Sequence, residues 1–290
     1  MSLSDWFSTF CINLRMSNET VSNVTYRYKR ITKQLNKDFW NSDSEIYHSL
    51  YVGSYGRGTD IHVSDVDVIF QLPYSVYEQY NNYTGNGQSA LLQAIKTSVG
   101  KTYNSYMKAD GQVIVIKFTD GITFELVPAF LNIDGSYTFP DSNGGGSWKT
   151  TNPKPEIAEI TKKNNECNKN LKRLCRMARA WKDYCGVPMG GLLIDTLAYK
   201  FLSSWAHRDK SYIYYDWMSR DFFKYLSEQS TTQTYWLSPG ANQYVWKTGN
   251  FQTKAKLAYE TSLEAISKEK DYPITAKSKW CSIYGTKFPS

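Results

Sequence analysis

The pattern of apolar and polar positions in the first half of the chain predicts β-strands in two regions. Residues 64–70, SDVDVIF, place charged and apolar residues on alternate positions, as a half-buried strand requires. Residues 113–116 and 123–127 are short apolar, β-branched runs on either side of Asp120-Gly121, a strong turn signal. The pattern predicts a hairpin whose second strand carries Glu125.

The spacing changes to that of a helix elsewhere. Residues 18–41 and 90–100 have near-helical apolar spacing, and helical patterns dominate from residue 156 onward, with further helices over 192–205, 216–226 and 251–268. We therefore predict an α+β fold. Residues 1–150 would form one lobe, with a mixed sheet and an N-terminal helix, and residues 151–290 a second, helical lobe.

Residues 134–155 are rich in glycine, proline and asparagine and include Gly144-Gly145-Gly146. Such a run predicts a loop, and here a passage between the two lobes. We expect this loop to lie over the active site. Trp148 and Thr150 follow the glycines, and we predict that they meet a nucleotide base and a phosphate; the alternative is a plain linker.

Three carboxylates give these elements a candidate chemistry. Asp65 and Asp67 are two residues apart, so a strand directs both to one face. Adjacent like charges repel unless a cation lies between them. With Glu125 from a neighbouring strand, they would hold two Mg²⁺ ions about 4 Å apart, one activating a hydroxyl and one bracing a triphosphate. We predict Asp65, Asp67 and Glu125 as catalytic and metal-binding residues, with Mn²⁺ as a substitute.

The glycine-rich stretch before these aspartates, GSYGRGT at 53–59, predicts a phosphate cradle. Glycine lets the backbone approach a ligand closely, so backbone N–H groups at Gly53 and the Ser54 hydroxyl can face phosphate oxygens. Arg57 adds positive charge nearby. The alternative for this half alone is a glycine-rich hairpin loop.

Composition adds a modest positive charge and argues against several classes. The 290 residues carry 34 Lys and Arg against 27 Asp and Glu, a net +7, which suits a polyanionic ligand such as a triphosphate. No apolar run approaches the ~18 residues of a membrane span. The five cysteines are scattered without a C-x-x-C pair, as expected for reduced thiols. We expect a cytoplasmic protein without a membrane partner.

These motifs together resemble those of bacterial nucleotidyltransferases that make cyclic oligonucleotides, relatives of cyclic GMP-AMP synthase with a polymerase-β-like core. The resemblance rests on GSYGRGT at 53–59, SDVD at 64–67, FELVPAF at 124–130, WKTTNP at 148–153 and GTKFP at 285–289. Residues 6–40 resemble the family's long N-terminal spine helix. Arg179 stands where the family usually has a lysine that reaches the donor triphosphate, and we predict that Arg179 and Lys182 bind nucleotide.

The resemblance implies Mg²⁺-dependent joining of nucleoside triphosphates, ATP among them, into a cyclic di- or trinucleotide for anti-phage signalling. It also implies a preformed site without an obligatory nucleic-acid activator, and leaves room for a regulatory protein partner. Two alternatives stay open. One is a transferase acting on a drug, a protein or an RNA end, and the other is a non-catalytic nucleotide or RNA binder of the same fold.

Overall fold

A computed structural model describes residues 2–61 and 65–289, and within them the chain forms eleven α-helices and nine β-strands. The helices are α1 (Leu3–Asn13), α2 (Asn18–Trp40), α3 (Gly53–Arg57), α4 (Tyr74–Asn81), α5 (Gly87–Gly100), α6 (Pro153–Glu166), α7 (Asn170–Cys185), α8 (Gly191–Ser204), α9 (Tyr215–Ser227), α10 (Gln252–Lys268) and α11 (Pro273–Tyr284). The strands are β1 (Ser49–Tyr51), β2 (Asp65–Gln71), β3 (Tyr106–Asp110), β4 (Val113–Lys117), β5 (Thr123–Leu131), β6 (Tyr137–Asp141), β7 (Ser147–Thr151), β8 (Tyr235–Leu237) and β9 (Tyr244–Trp246).

The described residues divide into two compact units. One unit contains residues 16–56 and 65–153, and the other contains 2–15, 57–61 and 154–289. The passage between them near residue 153 lies close to the boundary expected at 150. Two short segments of the N-terminal half, residues 2–15 and 57–61, belong to the same unit as residues 154–289.

The sheet unit is built on seven strands in the order β1-β2-β5-β4-β3, with β6 paired to β5 and β7 paired to β6. Strands β2 and β5 are parallel, whereas the other pairs are antiparallel, so the sheet is mixed. One face of β2, β5 and β4 packs against α2 and α5 through buried residues such as Val66, Phe124 and Ile114. The opposite face of these strands carries the charged residues of the alternating pattern.

The helical unit has a core of its own, made by α1 and the helices from α6 to α11. Phe7 and Phe10 of α1 meet Trp280, Tyr284 and Phe288 in a cluster of buried rings. Rings of this size supply most of the apolar area in a core. Aromatic residues make up 16% of the sequence, and packing in this core accounts for part of them.

The predicted α+β class is confirmed, but two predicted elements differ. The helix resembling a spine over 6–40 is broken: α1 ends at Asn13, and the Ser17 hydroxyl starts α2 by accepting the Thr20 backbone N–H at 3.0 Å. The loop predicted over 134–155 contains the β6–β7 hairpin. Its glycines form a tight turn, since Gly144, Gly145 and Gly146 all have positive φ.

Residues 62–64 lie outside the described residues, so the first position of the predicted SDVD motif, Ser64, has no structural outcome. In the described part of the chain, no helix is both long and apolar enough to cross a membrane.

Candidate active site

The three predicted carboxylates lie on the two parallel central strands. Asp67 of β2 is directly opposite Glu125 of β5, and Asp65 is opposite Thr123. Residues in register point to one face, and Asp65 shares that face because it is two residues from Asp67. The buried neighbours Val66 and Phe124 occupy the other face. The alternation read from the sequence therefore brings the three acids together on the side of the sheet away from α2 and α5.

Gly53 packs closely against the side chain of Asp67. The chain leaves β1, which is antiparallel to β2, and enters α3 at Gly53 with φ of +60°. A Cβ at this position would overlap the Asp67 carboxylate, lying 2.6 Å from Cγ. Glycine is also the residue that adopts positive φ at little cost. The glycine-serine turn and the second aspartate thus form one packed unit, with Ser54 half-buried beside it.

The negative charge of Asp65, Asp67 and Glu125 favours binding of a cation. Burial, followed by repulsion from Asp67 and Asp65, raises the pKa of Glu125. A cation would relieve this repulsion, and carboxylate oxygens are the ligands that Mg²⁺ prefers. In the described part of the chain, however, no three His, Cys, Asp or Glu side chains already converge into a metal-holding group. The three carboxylates fit Mg²⁺ in their chemistry and in the register of their strands. To bind one ion together, their side chains would have to rotate toward each other.

Arg57, predicted to add charge beside the phosphates, is instead buried in the helical unit. Its Nε donates to Asp195 Oδ2 at 2.9 Å, and its NH1 lies 3.5 Å from Glu156. The hydroxyl of Thr59 donates to the same Asp195 oxygen at 2.9 Å. Asp195 is therefore the centre of a buried charge network that the sequence analysis did not identify.

Arg179 completes this network. It donates to both Asp195 oxygens, at 2.6 and 2.9 Å, and to the Gly191 carbonyl at 3.0 Å. Burial alone would raise the pKa of Asp195, but Arg179 and Arg57 more than offset that effect and bring it to about 2. Binding of nucleotide by Arg57 and Arg179 stays a prediction, and these ion pairs favour a structural role. The only sequence signal for Asp195 was a lone acid inside the apolar helix pattern of residues 192–205.

Similarity to known proteins shows the family of the chain. Residues 1–164 match the model of the Second Messenger Oligonucleotide or Dinucleotide Synthetase domain, which is more than half of the chain. The chain belongs to this synthetase family. A probable cyclic nucleotide synthase of Bacillus cereus strain VD146 is 24% identical over 182 residues, which is 58% of this chain and 52% of that protein. The match thus spans about half the length of this curated relative.

Two solved structures share the fold of this synthetase-family chain. CdnC of Escherichia coli MS115-1, in its complex with HORMA-deltaN, superposes with a TM-score of 0.73 at 13% identity, covering 99% of this chain and 98% of that one. The CD-NTase CdnG of Bradyrhizobium diazoefficiens, in complex with GTP, gives a TM-score of 0.70 at 9% identity, covering 99% and 96%. At such identities the likeness concerns the fold.

The remaining predicted site residues of this family member are less closely grouped. Trp148 of β7 packs against Phe130 and Tyr77 and donates its indole N–H to Asn81 at 3.0 Å. Phe130 and Glu125 are five residues apart on β5 and therefore project from opposite faces.

Thr150 lies on the same face as Trp148, because the two are two residues apart on β7. Neither residue is brought to the face that holds Glu125. Lys182 is half-buried on α7 and donates to Asp183 at 2.9 Å. The structure thus groups the carboxylates with Gly53 and Ser54, while nucleotide binding by Trp148, Thr150 and Lys182 stays a prediction.

Proposed function

We propose that this protein is a Mg²⁺-dependent nucleotidyltransferase that joins nucleoside triphosphates into a cyclic di- or trinucleotide and releases pyrophosphate. The observation that carries the proposal is the register of β2 and β5, which sets Asp67 beside Glu125 with Asp65 on the same face and Gly53 packed on Asp67. Membership of the synthetase family supports the same reaction.

In this reaction a hydroxyl of one nucleotide attacks the α-phosphorus of the next. Bound Mg²⁺ would lower the pKa of the attacking hydroxyl and neutralise charge on the reacting α-phosphate. Asp65 and Asp67 would hold both ions, and Glu125 the ion at the hydroxyl, with Mn²⁺ as a substitute. Ser54 would donate its hydroxyl to a triphosphate oxygen at the turn that follows β1. Catalysis then rests on positioning and charge, without a covalent intermediate.

The biological setting is part of the proposal. ATP is among the expected substrates, and a structural neighbour is described with GTP. Another neighbour is described with a HORMA partner, which supports a regulatory protein for this chain as well. We propose a cytoplasmic role in anti-phage signalling.

The test is incubation of the protein with ATP, GTP, CTP and UTP, singly and in pairs, with Mg²⁺, followed by mass spectrometry and a pyrophosphate assay. We expect a cyclic oligonucleotide together with one pyrophosphate for each nucleotide joined, two for a cyclic dinucleotide and three for a trinucleotide. A transferase for a drug, protein or RNA end would release no oligonucleotide from nucleotides alone. A non-catalytic binder would retain nucleotides and release no pyrophosphate.

A further inference from the structure

The face of the sheet that carries the carboxylates continues past Glu125 onto β4 and β3. Val115 of β4 is directly opposite Glu125, and Lys108 of β3 is directly opposite Val115. The neighbouring row runs across all four strands through Asp65, Thr123, Lys117 and Tyr106. Two lysines and a tyrosine therefore share one face with the carboxylates, on the two strands beyond β5.

These side chains line an open cavity of about 490 Å³ together with Asp65, Asp110 and Glu125. Tyr106 is 63% exposed. The Lys117 Nζ lies 5.9 Å from the centroid of the Tyr106 ring, and the Lys108 Nζ lies 3.0 Å from an Asp110 carboxylate oxygen. An exposed aromatic ring beside two ammonium groups suits a base and a phosphate chain, because bases stack on rings and phosphates pair with cations.

The order of the strands decides which nucleotide this cavity takes. Gly53 and Ser54 follow β1, on one side of the carboxylate strands, and the cavity lies over β4 and β3 on the other side. In phosphoryl transfer the attacking and leaving oxygens are roughly in line through the reacting phosphorus. With the leaving pyrophosphate at the Gly53-Ser54 turn, the attacking hydroxyl must approach from the β4–β3 side.

We propose that Lys108, Lys117 and Tyr106 form the acceptor subsite, which holds the nucleotide whose hydroxyl attacks. This inference rests on the proposed function and adds the residues that select the acceptor. The acceptor hydroxyl oxygen bonds to the donor α-phosphorus, the bond from that phosphorus to the bridging oxygen of pyrophosphate breaks, and the hydroxyl proton passes to solvent. Lys108 leaves Asp110 for a phosphate oxygen when the acceptor binds.

The experiment separates donor from acceptor chemically. A 2′,3′-dideoxynucleoside triphosphate can only donate, because it has no hydroxyl to attack with. An α,β-methylene nucleoside triphosphate can only accept, because its pyrophosphate cannot leave. Adenine, guanine, cytosine and uracil forms of both are combined in every pairing with Mg²⁺, and the rate of the single linear product gives separate KM values for the two nucleotides.

Lys108→Gln and Lys117→Gln should each raise the acceptor KM about tenfold, the loss expected for one hydrogen bond to a charged group. Tyr106→Ala should raise the acceptor KM roughly tenfold or more, as expected when the stacking of one base is lost. Tyr106→Phe keeps the ring and should leave the acceptor KM near the parental value. The donor KM should stay within about twofold, because the triphosphate cradle of Ser54 is unchanged.

The matched control is Lys96→Gln. Lys96 lies on α5, which packs against the opposite face of the sheet through residues such as Ile95, so neither KM should move. An unchanged acceptor KM in both lysine variants, or an equal rise in donor and acceptor KM, would overturn the subsite. Absence of any linear product from the unaltered protein would instead overturn the proposed function, and the subsite with it.

Discussion

Replacing Gly53 by alanine tests the packing of the glycine turn on Asp67. The added Cβ would lie 2.6 Å from Asp67 Cγ, against about 3.5 Å or more for an ordinary carbon–carbon contact. The carboxylate must therefore retreat by roughly 1 Å, a displacement that can cost about a hundredfold in rate at a catalytic site. Alanine at φ of +60° adds backbone strain of about 1–2 kcal/mol.

Gly135→Ala is the matched control. Gly135 also has positive φ, +83°, but nothing lies within 4 Å of the Cβ that would be added, so this variant carries the backbone strain without the clash. Urea unfolding should show a loss of about 1–2 kcal/mol in both proteins. Product formation from nucleoside triphosphates should fall about a hundredfold in Gly53→Ala and stay near the parental rate in Gly135→Ala. Parental activity in Gly53→Ala would refute the inferred coupling between the turn and Asp67.

Three further predictions follow from the same geometry. Ser54→Ala should lower kcat/KM for the donor triphosphate by an amount equivalent to about 1–3 kcal/mol without altering stability, and an unchanged kcat/KM would remove Ser54 from the cradle. Asp195→Ala leaves two buried arginines without their carboxylate and should lower the free energy of unfolding by about 3–5 kcal/mol in urea titrations near pH 7, so equal stability would contradict the charge network. The folded pKa of Asp195 is depressed to about 2, so its contribution to stability is fully present above its unfolded pKa of about 4. The difference in free energy of unfolding between the parent and Asp195→Ala should therefore shrink as pH falls toward 2. Added DNA or RNA should not stimulate synthesis, and a rate that rises about tenfold with nucleic acid and falls again with salt would show that the site is not preformed.

Local periodicity was enough to predict the strands that carry the three carboxylates. Alternation over residues 64–70 and the Asp120-Gly121 turn together predicted that Glu125 would lie beside the aspartates, and β4 pairs with β5 as that hairpin requires. Both patterns depend on residues that are close in sequence, so they can be recognised without knowledge of the rest of the fold.

Features decided by distant partners were not predictable in the same way. Arg57 and Asp195 are 138 residues apart, and nothing near Arg57 in sequence indicates that its guanidinium would be buried against that acid. The conspicuous turn residues of 134–155 predict a loop, whereas the structure has the β6–β7 hairpin there. Its strands contain Tyr, Thr, Phe and Trp, which are typical of strands, but they are fixed by pairing with each other and with the end of β5, a partner that the local pattern does not indicate.

The most direct test of the central claim is the dependence of synthesis on the aligned carboxylates. Asp65→Asn and Asp67→Asn each remove a metal-binding charge at nearly constant volume, and Asp134→Asn removes an exposed acid elsewhere in the same unit. Product formation from nucleoside triphosphates and Mg²⁺ is measured by mass spectrometry beside urea unfolding of each protein. We predict that the first two variants remain folded and form no cyclic product, while Asp134→Asn matches the parent; a folded Asp67→Asn protein that makes product at the parental rate would contradict the account.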